Sequence, residues 1–584
     1  MNLRRFVRAR TILSCWALVL TVVGSAPAWS QSASQITPPT FQPSPSAPGT
    51  AVVVSGQAGL NAPAGADRLF VKLSGVTVEG GRPELAGDVE ALRARLVGRR
   101  VPASELFAAA RDLEAAYARA GFVLVRIVLP AQSLRDGGRM RLTVVDGFVE
   151  RVEVGELPER VRSRVLAVLS PLVGQKGLRL GEIERRLMIA GDTPGVAMRS
   201  ALTPGKEAGA TVLVVQGTYK MVGGFVGFDN TLSTDLGRIT ANAGLDLNTP
   251  FGFGETIYLR ASGHPGGNDS SGVGAFFGDD PRVRTLAGGV VVPLGIDGLT
   301  LNLEATNSRT TPKAKGGLQT ATEFERYSTR LRYPWIRSRG LTFASEIIFD
   351  VEEERDDARL VGVTLPLALD RLRVLRLASD VSWQIPGAGS LFARGIASFG
   401  LDAFGARSAA DATPILPLTR QGADADFAKA EAIISYAQAL GEHVGIGLLA
   451  RGQTAFNSAL PRAEQLGIAS FQELSTFDAG TLGGDSGWVV RGEVNSPWLL
   501  PAGPVQLSVM PYAFAATGAL YLHRPTIFER GTTNVSSIGV GLRLAASPDA
   551  GVSQASLTVE FGRRYRDDGL PDANRFTVVG SLKF

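Results

Sequence analysis

Apolar and polar residues alternate along much of the C-terminal two-thirds of the chain. In the segment 239–248, five apolar residues occupy alternate positions: Ile239, Ala241, Ala243, Leu245 and Leu247. Because strand side chains point alternately to two faces, one face of this segment is apolar and the other is polar or glycine. A length of about ten residues suits a tilted strand that crosses a bilayer. A soluble sandwich strand gives the same alternation over about five or six residues.

The alternation recurs as far as the last residue of the chain. It is found at 299–306 and 557–561, and Gly-rich polar segments such as 264–280 and 310–322 suit long external loops. The last strand places five residues on one face: Phe576, Val578, Gly580, Leu582 and Phe584. The sequence contains no run of about eighteen apolar residues, the length that a membrane-spanning helix needs. We therefore predict that residues 219–584 form an all-β transmembrane barrel of about 16 antiparallel strands.

The N-terminus has the three parts of a secretory signal peptide. Four arginines precede an apolar run at 12–23, and the small residues Ala26, Ala28 and Ser30 follow. Cleavage after Ala28 or after Ser30 fits this pattern, and we prefer Ser30, which makes residues 1–30 the signal peptide. Removing its four arginines lowers the formal net charge from +5 to +1. The basic isoelectric point is therefore no argument for a nucleic-acid partner.

The next segment, 31–67, combines six prolines with Ser, Thr, Ala and Gly, which predicts a flexible, partly extended, Pro-rich linker. The only cysteine, Cys15, lies in the predicted signal peptide, so the mature chain uses neither disulfides nor thiol chemistry.

Between the linker and the barrel, one order of elements occurs twice. The first unit combines a strand at 69–78, helices at 86–96 and 104–120, and strands at 122–129 and 139–145. The second combines a strand at 148–154, a helix with Pro158 as its first residue, a helix at 180–190, and strands at 197–202 and 211–215. Two such β-α-α-β-β modules, 68–146 and 147–218, resemble POTRA domains, the α+β units that precede barrels of the Omp85 superfamily. Two unrelated small α+β domains are the alternative.

Several short phrases strengthen the resemblance to one family. They are Gly-Phe-Asp-Asn at 227–230, Thr-Asp-Leu-Gly-Arg at 234–238, Asn-Thr-Pro-Phe-Gly at 248–252, Tyr-Pro-Trp-Ile-Arg-Ser-Arg at 333–339, and Gly-Asp-Ser-Gly-Trp at 484–488. In this order they resemble the TpsB transporters of two-partner secretion, the filamentous-haemagglutinin and haemolysin exporters. The resemblance covers residues 68–584. It implies an outer-membrane protein of a Gram-negative bacterium, with periplasmic POTRA domains, that secretes a large unfolded, TpsA-like exoprotein through its barrel.

The family's sixth external loop folds back into the barrel and carries Val-Arg-Gly-Tyr/Phe at its tip. The corresponding positions here are Leu474, Ser475, Thr476 and Phe477. The family's barrel-strand motif, Phe-x-Asp-x-Gly, corresponds to Phe514, Ala516 and Gly518. The Arg and Asp that pair inside family barrels are therefore both absent. Losing one of them would cost about 3–5 kcal/mol if the other stayed buried, whereas losing both can be neutral, so we predict a divergent subfamily. Val-Arg-Gly-Glu at 490–493 is a rival position for the loop motif.

A client strand is expected to pair with the edge of each POTRA-like sheet, because backbone hydrogen bonds make few sequence demands. By analogy with POTRA domains, the edges are 122–129 and 197–202. The candidate client-binding residues are Phe122, Leu124, Arg126, Ser200 and Leu202. The other expected partners are outer-membrane lipid and, during biogenesis, the barrel-assembly machinery. Family members often have an N-terminal helix that plugs the pore, but 31–67 has no amphipathic helical pattern to support a plug.

No residue pattern indicates catalysis. His264, His443 and His523 are far apart and lack metal-ligand spacing. Ser486 is not in a Gly-x-Ser-x-Gly sequence, and no phosphate-binding Gly-rich loop is present. We therefore predict no enzyme activity, cofactor or metal. We also predict that folding of the client outside the cell drives its transport. The alternatives to secretion are a factor that inserts other barrels, against which two modules argue, or a passive pore that has lost secretion.

Overall fold

The computed structural model describes residues 31–43, 53–54, 60–207, 209–266, 273–314, 318–360, 363–502, 505–549 and 553–584. The predicted signal peptide therefore lies outside the described residues. The N-terminal segment contains a one-turn helix, α1 (Ala33–Ile36), and a short strand, β1 (Val53–Val54).

The first α+β unit follows. Its elements are β2 (Phe70–Lys72), β3 (Gly75–Glu79), α2 (Ala86–Leu96), β4 (Arg100–Pro102), α3 (Ala103–Arg119), β5 (Arg126–Val128) and β6 (Arg139–Val145). The main sheet has the order β3-β6-β5, and β2 pairs with β4. As predicted, α3 buries an apolar stripe, which includes Leu106 and Tyr117. The predicted strand 122–129 is wrong at its start, because the residues before Arg126 form turns. The backbone nitrogen of Phe122 donates to the oxygen of Tyr117, and that of Val125 donates to the oxygen of Phe122.

The second α+β unit has the same order of elements. It contains β7 (Phe148–Gly155), α4 (Glu159–Leu169), α5 (Leu180–Gly191), β8 (Val196–Pro204) and β9 (Ala210–Tyr219). Pro158 precedes α4 in an extended conformation, so the prediction that it is the first helical residue is wrong by one position. The sheet has the order β1-β8-β9-β7, so strand β1 of the N-terminal segment is added at the β8 side. The described residues also form four short 3-10 helices: Ala66–Arg68, Pro83–Leu85, Ser170–Leu172 and Arg462–Glu464.

A closed antiparallel barrel forms the rest of the chain. Its strands are β10 (Val222–Asp229), β11 (Thr240–Asn248), β12 (Thr256–Gly263), β13 (Val283–Leu294), β14 (Leu299–Thr310), β15 (Gln319–Arg337), β16 (Leu341–Leu360), β17 (Val363–Ile385), β18 (Gly389–Gly400), β19 (Ala428–Ala439), β20 (Gly445–Thr454), β23 (Ser486–Asn495), β24 (Trp498–Ala502), β25 (Val505–Tyr521), β26 (Thr532–Asp549), β27 (Ser553–Arg566) and β28 (Ala573–Lys583). The intervening β21 (Leu466–Gly467) and β22 (Gly483–Gly484) form a hairpin, and the helix α6 is Val273–Phe277.

The barrel has sixteen crossings, because β23 and β24 pair with successive parts of β25 and form one interrupted strand. Strand β10 closes the ring against β28, from Phe225 opposite Lys583 to Asp229 opposite Val579. The predicted fold class and strand number are confirmed. None of the described helices is long and apolar enough to cross a membrane.

The two faces of the wall differ as the alternation predicts. Leu245, Ile347 and Val540 are exposed on the outside, whereas Glu304 and Arg326 are buried on the inside. An apolar outer belt around a polar lumen suits a strand wall in lipid.

The second α+β unit contacts the periplasmic turns of the barrel through α5. Arg337 pairs with Asp192 (Nε to Oδ2, 2.9 Å), and Arg339 pairs with Glu184 (2.8 Å). Arg185 of α5 donates to the backbone oxygen of Pro334 at 2.8 Å. The phrase at 333–339 therefore connects the barrel with the α+β unit beneath it. These contacts place the second sheet at the periplasmic mouth of the lumen.

Candidate functional site in the barrel lumen

The sixth external loop, residues 455–485, lies inside the barrel. We call it the lumen loop. It contains the 3-10 helix Arg462–Glu464 and the β21–β22 hairpin. Five buried apolar residues of the loop pack on the wall residues Val489, Ala516, Leu520 and Val535. These loop residues are Leu466, Ile468, Leu474, Phe477 and Leu482. This loop narrows the lumen, which a segment near the N-terminus also enters.

The root of the lumen loop is held by Asp485, whose side chain is fully buried. This carboxylate pairs with Arg420. It also accepts hydrogen bonds from the backbone nitrogens of His523 (2.7 Å) and Leu460 (3.0 Å). Asp485 belongs to the Gly-Asp-Ser-Gly-Trp phrase, which gives that phrase a structural role at the end of the loop.

The middle of the lumen loop is attached to the opposite wall by ion pairs. Glu464 pairs with Arg376 (2.6 Å) and Lys429 (2.8 Å), and Arg462 pairs with Asp356 (2.6 Å). Burial alone would raise the pKa of Glu464, but Arg376 and Lys429 outweigh it and hold this pKa well below its usual range. The charged form of Glu464 is therefore part of the folded loop.

The predicted tip positions, Leu474 to Phe477, reach the barrel wall. Thr476 Oγ1 donates to Ser537 Oγ at 2.9 Å, and Thr577 Oγ1 donates to the backbone oxygen of Ser475 at 3.2 Å. The guanidinium groups of two wall arginines lie 5.7 Å from the ring centre of Phe477. The tip residues are thus uncharged where the family motif would carry an arginine.

The predicted strand positions lie beside this tip. Phe514 and Ala516 on β25 are buried on the lumen side, and Ala516 belongs to the same apolar cluster as Leu474. A Cβ added to Gly518 would lie 3.1 Å from Ile468 of the loop. The structure therefore brings the two sets of motif positions together, while their family roles stay a prediction. The rival phrase 490–493 lies on the wall strand β23 and not in the loop.

Arg491 of that rival phrase forms a buried ion pair that the sequence did not identify. Its Nη2 lies 2.6 Å from Glu560 Oε1, and the hydroxyl of Tyr512 donates to the same oxygen. Its Nη1 donates to Ser475 Oγ at 3.0 Å, and its guanidinium lies 3.9 Å from the centre of the Phe514 ring. The lumen therefore does contain an arginine–acid pair, with the arginine on the wall. The one signal in the sequence was a charge on the inward face of an alternating strand.

Residues 31–43 are the second occupant of the lumen, and we call them the lumen segment. Ser34 Oγ donates to Glu354 at 2.8 Å, and the backbone nitrogen of Phe41 donates to Glu304 at 2.8 Å. The backbone oxygens of Pro38 and Pro39 accept from Arg326 (2.8 Å) and Arg330 (2.6 Å). The prediction of a linker without fixed contacts is therefore wrong for this part of 31–67. Polar uncharged residues carry no periodicity that would have revealed the contacts.

The lumen segment also touches the lumen loop. Ile36 packs against Leu232, Leu236 and Val283, together with Ala479 of the loop. A Cβ added to Gly483 would lie 2.8 Å from the Gln35 side chain. The lumen segment and the lumen loop therefore pack against each other inside the barrel.

The predicted client-binding residues do not present free side chains. Phe122 is buried in the first unit, and Leu124 lies in the core of the second. Arg126 donates to the backbone oxygens of Val123 and Val125. Strand β5 is the edge of its sheet, but Glu114 accepts a hydrogen bond from the backbone nitrogen of Ile127 at 2.9 Å. Any pairing there would use the backbone.

In the second unit, Ser200 and Leu202 are likewise buried, so their predicted contacts with a client would also be made by the backbone. The edge itself, β8, already carries β1. The structure thus places these two residues at the predicted edge, under a short strand of the same chain.

The three histidines lie apart in the structure. His443 stacks on Trp498 with ring centres 3.7 Å apart, His264 Nδ1 lies 2.8 Å from the backbone oxygen of Ile239, and His523 Nε2 lies 3.0 Å from Ser486 Oγ. Within the described ranges, no group of three or more His, Cys, Asp or Glu residues is arranged to hold a metal ion.

Comparison with known proteins agrees with this architecture. The profile of the family described as haemolysin secretion/activation protein ShlB/FhaC/HecB matches residues 209–544, and that of the ShlB-type POTRA domain matches residues 71–147. The outer membrane transporter CdiB of Escherichia coli O6:K15:H31 is 26% identical over 235 residues, which are 40% of this chain and 37% of CdiB. The hemolysin transporter protein ShlB of Serratia marcescens is 27% identical over 153 residues, 26% of each chain. These matches span less than two thirds of either relative.

A solved structure of CdiB from Escherichia coli has the same fold. It superimposes with a TM-score of 0.65 at 19% identity and covers 98% of both chains. The likeness therefore extends beyond the segment that sequence comparison matches, to both α+β units and the whole barrel.

Proposed function

The chain belongs to the haemolysin secretion/activation protein family ShlB/FhaC/HecB, and from this premise we propose that it exports one large, unfolded exoprotein through its barrel. The barrel lies in the outer membrane and the POTRA domains lie in the periplasm. Members of this family partner with TpsA-like exoproteins. The proposed client is a protein of this class. We also propose that outer-membrane lipid surrounds the barrel and that the barrel-assembly machinery inserts it.

The observation that best supports export is the content of the lumen. A lumen segment without charged residues lies along strands β14 to β16, and several of its hydrogen bonds are to charged wall residues. A client strand of similar composition could replace each of these hydrogen bonds without leaving a buried charge unpaired. The docked second unit lies at the periplasmic mouth, where an entering chain would meet it first.

Capture is proposed to occur by strand addition at the two POTRA edges, where the client contributes its backbone. No nucleotide is available in the periplasm, so net movement would depend on the client folding outside, which prevents its return. The predicted domain limits, with POTRA modules at 68–146 and 147–218, are part of this proposal.

The test compares culture supernatants by quantitative mass spectrometry. A strain that lacks this chain is complemented with the full chain or with a form lacking residues 68–146, and membrane levels are matched by heat-modifiability gels. We expect one high-molecular-mass protein to return to the supernatant only with the full chain. Full return with the deletion form would overturn the POTRA capture step. Loss of several outer-membrane proteins would instead indicate barrel insertion, and an unchanged supernatant would indicate a passive pore.

A further inference from the structure

A periplasmic turn of the barrel presents two exposed aromatic side chains. Residues 249–255 connect β11 with β12, and within them Phe251 and Phe253 are 70% and 68% exposed. The turn is held by the buried carboxylate of Glu255, which accepts hydrogen bonds from the backbone nitrogens of both phenylalanines. The two rings are therefore displayed by an ordered turn below the barrel wall.

Helix α4 of the second α+β unit packs on the glycines of this turn. Gly252 and Gly254 have positive φ angles of 91° and 85°. A Cβ added to Gly252 would lie 3.6 Å from the Cβ of Arg160. A Cβ added to Gly254 would lie 3.2 Å from the Nε of Arg164. The second unit thus covers the glycine side of the turn and leaves the phenylalanine side open.

The two arginines that reach the turn carry charges without an acidic partner. Arg160 and Arg164 lie four residues apart, so they project from one face of α4. Among the described residues, neither pairs with an Asp or Glu, whereas Arg162 between them pairs with Glu159. Arg164 donates to the backbone oxygen of Gly295 at 2.7 Å, and burial lowers its pKa because the guanidinium loses water. Two uncompensated positive charges therefore lie beside the two exposed rings.

The open side of the turn is continuous with the lipid-facing wall. A Cβ added to Gly254 would lie 3.3 Å from Pro293 of β13, and Leu294, the next residue, is exposed on the apolar outer face. Because the barrel lies in the outer membrane and the POTRA domains lie in the periplasm, this turn lies at the periplasmic leaflet. Aromatic side chains form girdles at the interfaces of such barrels, and arginine binds phosphate through paired N–H groups. The surface therefore matches a lipid with acyl chains and a negatively charged headgroup.

We call Arg160, Arg164, Phe251 and Phe253 the joint site, because they lie where the second α+β unit meets the barrel. We propose that the joint site binds an anionic phospholipid of the periplasmic leaflet, with the phosphate on the arginines and the rings beside the acyl chains. The bound lipid fixes α4 against the membrane surface and thereby orients the second POTRA module at the mouth of the lumen. This role goes beyond export and does not depend on it.

The first experiment titrates the full chain in a neutral detergent with short-chain phosphatidylglycerol and measures binding by calorimetry. Short-chain phosphatidylcholine, which has no net charge, and inorganic phosphate, which has no acyl chain, are the comparison ligands. Each arginine near an anionic lipid surface contributes about fivefold in affinity, so R160Q/R164Q should weaken phosphatidylglycerol binding by at least about tenfold. The matched control R111Q/R119Q removes two exposed arginines of α3 and should bind as the wild type does.

Heat-modifiability gels show whether both double variants are folded barrels. Equal affinity of the wild type for phosphatidylglycerol and phosphatidylcholine would overturn the preference for an anionic lipid. Equal phosphatidylglycerol affinity in the two double variants would overturn the role of the arginines. Inorganic phosphate that binds as tightly as phosphatidylglycerol would indicate a site for small anions and overturn the lipid assignment.

The second experiment locates the rings in nanodiscs that contain phosphatidylglycerol and a nitroxide-labelled lipid. Because the only cysteine, Cys15, lies in the predicted signal peptide, Phe253→Cys can carry a single environment-sensitive fluorophore. We expect blue-shifted emission and quenching by the nitroxide at this position. The matched control is Phe70→Cys, at a 53% exposed phenylalanine of the first unit, which should show neither effect. Unshifted and unquenched emission at both positions would overturn the proposed contact with the bilayer.

Discussion

The two occupants of the lumen are held by opposite means. The lumen loop carries charges that pair with residues around it, at Asp485, Glu464, Arg462 and Glu473. The lumen segment carries none, and it is held by the packing of Ile36 and by hydrogen bonds, several of them to the charged wall residues Glu304, Glu354, Arg326 and Arg330.

The difference determines which occupant can leave. Withdrawing the loop would separate several buried ion pairs and leave unpaired charges on both sides, at a cost of several kcal/mol for each pair. Withdrawing the lumen segment breaks hydrogen bonds that water or a client can replace, and those to charged wall residues are each worth about 1.5–3 kcal/mol. We therefore expect the loop to be a fixed part of the closed barrel, and the segment to be the part that exchanges with the proposed client.

The largest expected effect comes from breaking the root of the loop. Arg420→Ala leaves Asp485 buried without its arginine, which should lower the free energy of unfolding by about 3–5 kcal/mol. Limited trypsin digestion of the detergent-solubilised protein should then cleave within 455–485, and heat-modifiability should shift to lower temperature.

The control is Arg371→Ala, because Arg371 pairs with Glu353 and both side chains are nearly half exposed. This variant should change stability by less than about 1 kcal/mol. If the two variants behaved alike, the ion pairs of the loop would not distinguish it from the lumen segment.

An intermediate effect is expected at the tip, from Arg491 and Glu560. Arg491→Met and Glu560→Gln should each destabilise the barrel, and the double variant should cost less than their sum by about 1–3 kcal/mol. Urea unfolding followed by tryptophan fluorescence gives the four values of this cycle. Strict additivity would contradict a paired role, and the tip would then depend on its neutral contacts alone.

The sequence predicted those parts of the molecule whose pattern is local. Alternation that begins at 239–248 and recurs to the last residue predicts the barrel, because each strand displays both of its faces within a few residues. Counting back from Gly484 and Asp485 also placed Leu474 to Phe477 at the loop tip, which contacts the wall.

Contacts between distant residues were not predictable in the same way. Arg491 and Glu560 are 69 positions apart, and Ser34 and Glu354 are 320 apart, so no periodicity connects them. Because we assigned the motif to the loop, we did not identify Arg491. This arginine lies on the wall strand and reaches the loop tip, where it occupies the place of the family's loop arginine. The shortening of β5 has a similar cause, since the residues after α3 turn back to complete two cores.

The smallest expected effect concerns the lumen segment itself. Ser34→Ala removes the hydrogen bond to the Glu354 carboxylate, which should weaken binding of the segment in the lumen by about 1.5 kcal/mol. Since 1.4 kcal/mol corresponds to a tenfold change in an equilibrium constant, the open fraction in planar-bilayer recordings should rise about tenfold. The matched control is Ser345→Ala, which removes a contact of 3.0 Å with Ser379 between exposed side chains and should leave conductance unchanged. Because the segment is proposed to exchange without separating charges, the unfolding midpoint of the barrel should stay the same in both variants. A Ser34→Ala protein with a lower unfolding midpoint and no gain in conductance would instead place the segment with the loop, as a structural part of the barrel.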